Sequence, residues 1–317
     1  MKVAVFGAGA IGGFIAAALA RSGVNVCAVA RGNHLAAIRR DGLTVSSDLG
    51  RFTVDIPASD DLRDFGDPDF VLLTFKSHQW AGVLPQFRNA LGGRSVFVTL
   101  QNGLPFWYTR DRALESVDPG GRIRSTFPDE RIVGGVVHAS GHVVRPGEIH
   151  QSGGMVYPIG ELDGSTSDRI RALSAAFENA GMQAPIEHDI RRRIWNKLIN
   201  NVALNPISAL TRAKVHEMLD DPFVRAQLRL VMNEALAVAR ASGADPGVDA
   251  EQRLEHARHI ADVKTSMLQD LESGRALELD PIAGAVVELA AVHGIPVPHT
   301  EMVYALTKLL ERTVRGD

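Results

Sequence analysis

A glycine-rich turn near the start of the chain restricts the possible folds more than any other feature of this sequence. The uncharged run Val3-Ala4-Val5-Phe6 predicts a buried strand, and Gly7-Ala8-Gly9-Ala10-Ile11-Gly12 follows it directly. A helix is predicted over 10–21, because apolar residues recur on one face and Gly23 ends the pattern. A strand, a glycine turn and a helix in this order are typical of domains that bind a dinucleotide.

Each glycine of the turn has its own expected task. Gly7 makes the tight turn, Gly9 lets the backbone approach a pyrophosphate, and Gly12 allows the helix to pack closely on the strand. The start of the helix adds free N–H donors and a partial positive charge for the phosphates. We therefore expect the cofactor to bind at the residues of this turn, which are Gly7, Ala8, Gly9, Ala10, Ile11 and Gly12.

The end of the second predicted strand indicates which dinucleotide binds. An enzyme that uses NAD typically has an acidic residue there, which binds the ribose 2′-hydroxyl. This chain has Arg31 instead, and no acidic residue occurs before Asp41. A guanidinium suits a 2′-phosphate, and Lys76, at the end of another predicted strand, would add a second positive charge near it. The sequence therefore predicts NADPH as the cofactor.

The pattern of strands and helices predicts an α/β fold with two domains. Further strands, predicted at 43–46, 52–56, 70–75, 96–100, 132–137 and 155–159, indicate a Rossmann-type doubly wound sheet. Long helical patterns follow residue 188, at 190–205, 222–242, 251–273 and 281–293. A chain of 317 residues is long enough for two domains. We expect an NADP-binding Rossmann domain over 1–188 and an all-helical substrate and catalytic domain over 189–317.

One polar segment has two interpretations. Residues 107–131 are rich in Arg, Asp, Pro and Gly and show no clear period. A loop of this length inside a domain is uncommon and is often functional, as a lid over an active site is. A surface insertion explains the composition equally well.

The composition excludes several classes of function. The net charge is −3, so no nucleic-acid partner is expected. The lone Cys27 excludes a disulfide framework and fits a reducing compartment. Residues 3–20 are uncharged like a signal peptide, but the four glycines among them argue against a spanning helix. We expect a cytoplasmic protein without a membrane partner.

Two further expectations concern metals and assembly. His256 and His259 share a helix face, but no zinc-protease signature or further ligand cluster accompanies them, so no metal is expected. The apolar helices of the C-terminal half fit either a homodimer interface or the core of one domain.

The helix predicted over 190–205 has an unusual polar face. Lys197, Asn201 and Asn205 recur every four residues, so they lie on one side of the helix. Asparagine is a mediocre helix former, and its repetition here indicates a hydrogen-bonding task. Glu278, by contrast, is on sequence alone a surface acid near a helix start.

Taken together, these segments resemble the ketopantoate reductases across nearly the whole chain. The motifs that carry the resemblance are Gly7-Ala8-Gly9-Ala10-Ile11-Gly12, Lys76, Gln101-Asn102-Gly103, Trp195-Asn196-Lys197-Leu198 with Asn201 and Asn205-Pro206, Ser266-Met267-Leu268-Gln269-Asp270, and Glu278-Leu279-Asp280. The resemblance implies an N-terminal Rossmann domain and a helical C-terminal domain.

The resemblance also implies a role for each matched residue. Lys197 matches the family's catalytic lysine, and Glu278 matches the acid that orients this lysine and contacts the substrate. The matched substrate-binding residues are Asn201, Asn205 and Ser266. The matched cofactor contacts are Lys76, Ala139 and Asn102, of which Asn102 also lies close to the substrate.

The function implied is the NADPH-dependent reduction of ketopantoate to pantoate in pantothenate synthesis, with Lys197 as the general acid. The sequence departs from the family where Asp280-Pro281-Ile282-Ala283-Gly284 replaces the frequent Asp-Tyr-Ile-Asn-Gly. Two alternatives therefore stay open. The first is a reductase of another branched 2-oxo acid, and the second is a protein that senses NADPH without turnover.

Overall fold

The computed structural model describes residues 1–90, 93–258 and 262–316. The chain divides into two compact units, each built from two stretches of sequence. The first unit contains Met1–Gln101 and Ser125–Ile190, and the second contains Asn102–Arg124 and Arg191–Asp317. The expected domains, 1–188 and 189–317, differ from these units mainly in the placement of residues 102–124.

All the strands that the structure describes lie in the first unit. They are β1 (Lys2–Phe6), β2 (Asn25–Val29), β3 (Leu43–Ser47), β4 (Gly50–Val54), β5 (Ala58–Ser59), β6 (Phe70–Leu73), β7 (Val96–Thr99), β8 (Ile132–Gly135), β9 (His138–Arg145), β10 (Glu148–Val156) and β11 (Ile159–Glu161). The main sheet has the order β11-β8-β7-β6-β1-β2-β5. Its strands run parallel except for the edge strand β11. The predicted α/β fold is confirmed.

A second sheet, with the order β4-β3-β10-β9, was not anticipated. The segments predicted as strands at 43–46 and 52–56 belong to this sheet and not to the doubly wound one. The strand predicted at 155–159 is also divided, because β10 ends at Val156 in the second sheet and β11 begins at Ile159 in the first. The polar β9 was missed because its burial lacks the alternation that marks a half-buried strand.

The helix that follows the glycine turn lies between the two sheets. The helices of the first unit are α1 (Ala10–Arg21), α2 (Gly32–Asp41), α3 (Trp80–Ala90) and α4 (Asp168–Asn179). Every residue of α1 from Gly12 to Leu19 is buried, and the helix contacts strands of both sheets. A side chain at Gly13 would place its Cβ 2.2 Å from the Cδ1 of Ile149. The second sheet thus explains why α1 has no polar face.

From Arg191 onward, the described part of the second unit is mainly helical. Its helices are α5 (Ile190–Thr211, which begins at the last residue of the first unit), α6 (Val215–Asp220), α7 (Pro222–Ala241), α8 (Ala250–Arg258), α9 (Ser266–Glu272), α10 (Ala285–His293) and α11 (Pro298–Arg315), with a π-helical turn at Asp280–Gly284 before α10. The predicted helix at 251–273 is wrong in its middle, because residues 262–265 between α8 and α9 are not helical. Within the described chain, no helix combines the length and the apolarity needed to cross a membrane.

Residues 102–124 belong to the second unit although the sequence places them in the first half. The buried Trp195 of α5 donates a hydrogen bond from Nε1 to the Tyr108 hydroxyl at 2.6 Å. Ser116 donates from its N–H and its hydroxyl to Glu288 of α10 at 2.9 and 2.7 Å. Long-range contacts of this kind leave no local periodicity, so the sequence did not reveal them. The first part of the polar segment 107–131, residues 107–124, is therefore packed against helices of its own unit.

Candidate functional site

Three residues from separate parts of the second unit form a hydrogen-bonded series. The Lys197 ammonium of α5 donates to Asn102 Oδ1 at 2.6 Å. The Asn102 amide donates in turn to Glu278 Oε2 at 3.0 Å. Glu278 is 8% exposed, so its carboxylate is largely withdrawn from water. The structure thus places the Asn102 amide between Lys197 and Glu278, the acid that the family resemblance expected to orient this lysine.

A backbone contact holds Asn102 beside Glu278. The Leu104 N–H donates to the Pro281 carbonyl oxygen at 2.8 Å, and Pro281 lies within the π-helical turn that follows Glu278. Gly103 has φ +86°, and a Cβ there would lie 2.2 Å from the same Pro281 oxygen. Only glycine fits this position, which explains the Asn102-Gly103 pair.

The π-helical turn is itself fixed by α11. Tyr304 donates to Asp280 Oδ1 at 2.9 Å, and the Lys308 ammonium donates to both carboxylate oxygens of Asp280 at 2.9 and 2.7 Å. Single π-helical turns are frequent at functional sites. This one begins two residues after Glu278 and orients the chain that carries it.

The surroundings of Lys197 make it a stronger acid than an ordinary lysine. Burial lowers its pKa to about 8, and the negative charge of Glu278 opposes this shift. An ammonium with a pKa near neutrality can both donate and recover a proton at ordinary pH. The arrangement is therefore suited to general acid catalysis.

The other polar residues predicted on α5 lie on the same side of the helix as Lys197. Asn201 is partly buried and Asn205 is 5% exposed. Within the described chain, neither side chain has a hydrogen-bond partner in the protein. Their amides are therefore available to a ligand.

Sequence reasoning missed Asn200, which precedes Asn201. Its Oδ1 is buried and has no partner among the described residues. The sequence signal for Asn200 was the presence of a third asparagine within one helical turn of Lys197. Asn200 is three residues from Lys197, so it did not fit the four-residue repeat.

Ser266 occupies a different environment from the asparagines. It is the first residue of α9 and is exposed, while Thr265 before it caps the helix by accepting a hydrogen bond from the Leu268 N–H at 3.2 Å. The structure therefore shows an accessible hydroxyl at a helix start, and among the described residues Ser266 makes no hydrogen bond to Lys197.

In the first unit, the glycine turn has the expected geometry. Gly7 has φ +106°, and a Cβ there would lie 2.6 Å from the Phe75 nitrogen. A Cβ at Gly12 would lie 2.2 Å from Thr74 Oγ1, whereas one at Gly9 would have no neighbour within 4 Å. Gly9 thus has open space beside its backbone, which is what the approach of a pyrophosphate needs.

The glycine turn lies at the point where the order of the main sheet reverses. From β1 the chain continues to β2 on one side, and the later strands β6, β7 and β8 lie on the other side. Ligands of open α/β sheets bind at the carboxyl ends of the strands that flank such a point. Thr74, which the sequence analysis did not single out, follows β6 here and donates to the Gly7 carbonyl oxygen at 2.9 Å.

The two predicted cofactor cations follow different strands. Arg31 is exposed at the start of α2, just after β2, and has no ion-pair partner in the part of the chain that the structure describes. Lys76 follows β6, on the other side of β1. Two strand spacings, about 10 Å, thus separate the strands that carry them. Long side chains can span such a distance, so the expectation that Lys76 adds a positive charge near the phosphate that Arg31 binds stays a prediction.

Two other expectations concern Ala139 and metals. Ala139 is partly buried at the start of β9, in the second sheet. Among the described residues, no group of three or more His, Cys, Asp or Glu side chains is placed to hold a metal ion. His259, one of the two histidines considered for a metal, lies outside the described residues.

Comparisons with known proteins agree with one another. Residues 3–164 match the family described as ketopantoate reductase PanE/ApbA, and residues 189–311 match the C-terminal domain of the same family. The chain is 38% identical over 318 residues to the 2-dehydropantoate 2-reductase of Mesorhizobium japonicum, covering 98% of each chain.

Solved structures give the same result. The crystal structure of 2-dehydropantoate 2-reductase from Geobacter metallireducens superposes with a TM-score of 0.88 at 30% identity, covering 98% of this chain and 100% of that one. The ternary structure of D-mandelate dehydrogenase with NADH and anilino(oxo)acetate has a TM-score of 0.86 at 20% identity, covering 99% of each chain. At this identity the likeness is one of fold alone.

Proposed function

Because the chain belongs to the ketopantoate reductase family, we propose that it reduces ketopantoate to pantoate with NADPH. The observation that carries the proposal is the series Lys197–Asn102–Glu278, which holds an ammonium of lowered pKa beside an amide and a carboxylate. A ketone that is being reduced develops negative charge on its oxygen. A positioned ammonium stabilises that charge and supplies the proton.

The residues of the first unit fit the dinucleotide. The open space beside Gly9 admits a pyrophosphate at the start of α1. The exposed Arg31, after β2, suits a 2′-phosphate, and this position has no acidic residue to bind a ribose 2′-hydroxyl. Lys76, Asn102 and Ala139 are the further cofactor contacts that the family resemblance implies. When bound, NADPH supplies the hydride.

The side chains of the second unit have separate tasks in this proposal. Lys197 transfers a proton from Nζ to the ketone oxygen and recovers one from solvent. Asn102 keeps the ammonium in place, and the charge of Glu278 favours the protonated lysine. Asn201, Asn205 and Ser266 bind the substrate's polar groups, with Asn200 as an added contact.

The replacement of the usual Asp-Tyr-Ile-Asn-Gly by Asp280-Pro281-Ile282-Ala283-Gly284 keeps another branched 2-oxo acid as a second candidate substrate. This segment forms the π-helical turn beside Glu278, so a change there alters the surroundings of the site. With ketopantoate as substrate, the enzyme would act in pantothenate synthesis in the cytoplasm.

Steady-state oxidation of NADPH and of NADH, measured with ketopantoate and a panel of other 2-oxo acids, tests the proposal. We expect the highest kcat/KM for ketopantoate with NADPH. Preference for a different branched 2-oxo acid would support the second candidate. NADPH binding without oxidation by any 2-oxo acid would contradict an enzymatic role and favour an NADPH-sensing protein.

A homodimer is a separate proposal. Light scattering of the same sample, which measures the molar mass in solution, tests it.

A further inference from the structure

The imidazole of His34 joins two backbone groups of the first unit that are far apart in sequence. His34 lies in the first turn of α2, and its Nε2 is 2.7 Å from the Ala8 carbonyl oxygen. The Gly147 N–H donates to the Nδ1 of the same ring at 3.0 Å. Gly147 lies in the turn between β9 and β10. One side chain therefore ties the middle of the glycine turn to the second sheet.

The two contacts determine which ring nitrogen of His34 carries the proton. A backbone N–H can only donate, so Nδ1 must accept from Gly147 and is unprotonated. The proton of the neutral ring is then on Nε2, which donates to the Ala8 carbonyl. Burial lowers the pKa of His34, and the hydrogen bond to Ala8 opposes this effect. A neutral ring at ordinary pH agrees with both contacts.

The carbonyl that His34 holds belongs to the peptide at the centre of the glycine turn. In a planar peptide the Ala8 carbonyl and the Gly9 N–H point in opposite directions. The Gly9 N–H donates to the Gly7 carbonyl at 2.7 Å, and the Ala8 N–H donates to the Val29 carbonyl at 2.9 Å. Both ends of the Ala8–Gly9 peptide are thus fixed before α1 begins.

The turn that contains Gly147 is well placed to hold the ring. Gly147 has φ +80°, and a Cβ there would lie 3.0 Å from the Cβ of Ala37 in α2. Its carbonyl accepts a hydrogen bond from the Thr44 N–H of β3 at 2.9 Å. Contacts with α2 and β3 therefore hold Gly147 in position to donate to the imidazole.

We propose that His34 is a positioning residue for the dinucleotide, which sets the orientation of the Ala8–Gly9 peptide and so prepares the glycine turn for the pyrophosphate. This inference rests on the proposed use of NADPH. A turn that is already in its binding orientation does not have to be ordered when the cofactor binds, and affinity rises accordingly. His34 touches no reacting atom in this role, so the rate of the chemical step should not depend on it.

The test compares His34→Ala with His34→Gln. Glutamine keeps a neutral N–H donor at the end of its side chain and can still reach the Ala8 carbonyl, whereas alanine cannot. We expect His34→Ala to raise the dissociation constant for NADPH about tenfold, which is the size of one lost hydrogen bond. Its kcat at saturating NADPH should stay within about twofold of wild type, and His34→Gln should recover most of the affinity. An unchanged NADPH affinity in His34→Ala would overturn the proposal.

A ligand without a pyrophosphate distinguishes an effect of His34 on the glycine turn from an effect on binding of the adenosine moiety. Adenosine 2′-monophosphate, used as a competitor of NADPH, carries the 2′-phosphate alone. If His34 acts through the glycine turn, His34→Ala leaves the inhibition constant of this competitor unchanged. Equal weakening of NADPH and of adenosine 2′-monophosphate would overturn the proposal, because His34 would then act on the adenosine.

A matched control and the wild type complete the design. His188→Ala removes another histidine of the first unit that contacts a backbone carbonyl, that of Gly164 at 3.0 Å, and it should leave NADPH affinity unchanged. If wild-type protein binds no NADPH, the proposed function fails. If wild type binds NADPH and His34→Ala binds it equally well, only the role of His34 fails.

Discussion

The Leu104 N–H donates to the Pro281 carbonyl oxygen at 2.8 Å, and this bond joins the two segments that place Asn102 and Glu278 near Lys197. Asn102 lies two residues before Leu104, and Glu278 lies three residues before Pro281. The side chains of Asn102 and Glu278 bond to each other at 3.0 Å. The position of the Asn102 amide thus depends on a backbone contact that involves neither charged group.

A side chain at Gly103 should break this contact. Gly103→Ala combines φ +86° with a Cβ placed 2.2 Å from the Pro281 oxygen, and we expect a loss of at least about 2 kcal/mol in the free energy of unfolding, with a strong decrease in kcat. Gly120→Ala is the control, since Gly120 has φ +69° and open space around it, and its cost should be about 1 kcal/mol. Equal losses in the two variants, measured by chemical denaturation, would show that the clash with Pro281 is unimportant.

Removal of the Lys197 ammonium should affect chemistry more than cofactor binding. We expect Lys197→Ala to lower kcat by about 10²–10⁴-fold, the usual contribution of a general acid. The dissociation constant for NADPH, measured by fluorescence titration, should change little. Lys214→Ala removes a partly exposed lysine that pairs with Asp262 at 2.8 Å, and its kcat should match wild type. Wild-type turnover in Lys197→Ala would remove this lysine from the mechanism.

The lowered pKa of Lys197 predicts the pH dependence of reduction. A lysine is charged below its pKa, so the general acid is present at low pH and is lost as the pH rises through about 8. The kcat for ketone reduction should be level below that pH and should fall above it. An ordinary lysine would keep its proton to about pH 10.4. A profile that stays level up to pH 10 would contradict the assignment.

Glu278→Gln should move that profile in a known direction. The charge of Glu278 raises the pKa of Lys197 against the effect of burial, so its removal should lower the pKa further. Glutamine keeps an oxygen that can accept from Asn102, which separates the effect of charge from that of the hydrogen bond. The fall in kcat should therefore begin at a lower pH than in wild type. A shift to higher pH is incompatible with this account.

Arg31 should decide between the two nicotinamide cofactors. Arg31→Asp replaces the cation by an acid that suits a ribose 2′-hydroxyl, and we expect the ratio of kcat/KM for NADPH to that for NADH to fall at least about tenfold. Arg171→Asp makes the same change of charge on the exposed side of α4 and should leave the ratio unchanged. If both variants keep the wild-type ratio, Arg31 is an ordinary surface residue.

Sequence patterns correctly predicted those features whose residues lie close together along the chain. The glycine turn, its helix and the shared face of Lys197, Asn201 and Asn205 follow from spacing alone, because each lies within one or two elements. The pairing of β3 with β10 joins strands about a hundred residues apart, and no spacing within either strand indicates it. The second sheet was missed for that reason.

The same limit applies to the candidate site. Asn102 is 95 residues from Lys197 and 176 from Glu278, so their association depends on tertiary packing. On sequence alone Glu278 resembled a surface acid, whereas it is buried and accepts a hydrogen bond from Asn102. Only the family resemblance linked these residues before the structure did, and it did not reveal that the amide separates the two charges.

Residues 102–124 belong to the second unit although the chain reaches them from the first and returns to it afterwards. Neither unit is therefore a continuous piece of the gene. A recombinant that joins residues 1–188 of one relative to residues 189–317 of another would take Asn102 from one parent and Lys197 with Glu278 from the other. Such hybrids should be active only where both parents keep compatible residues at these contacts, which couples the two halves of the gene through the site.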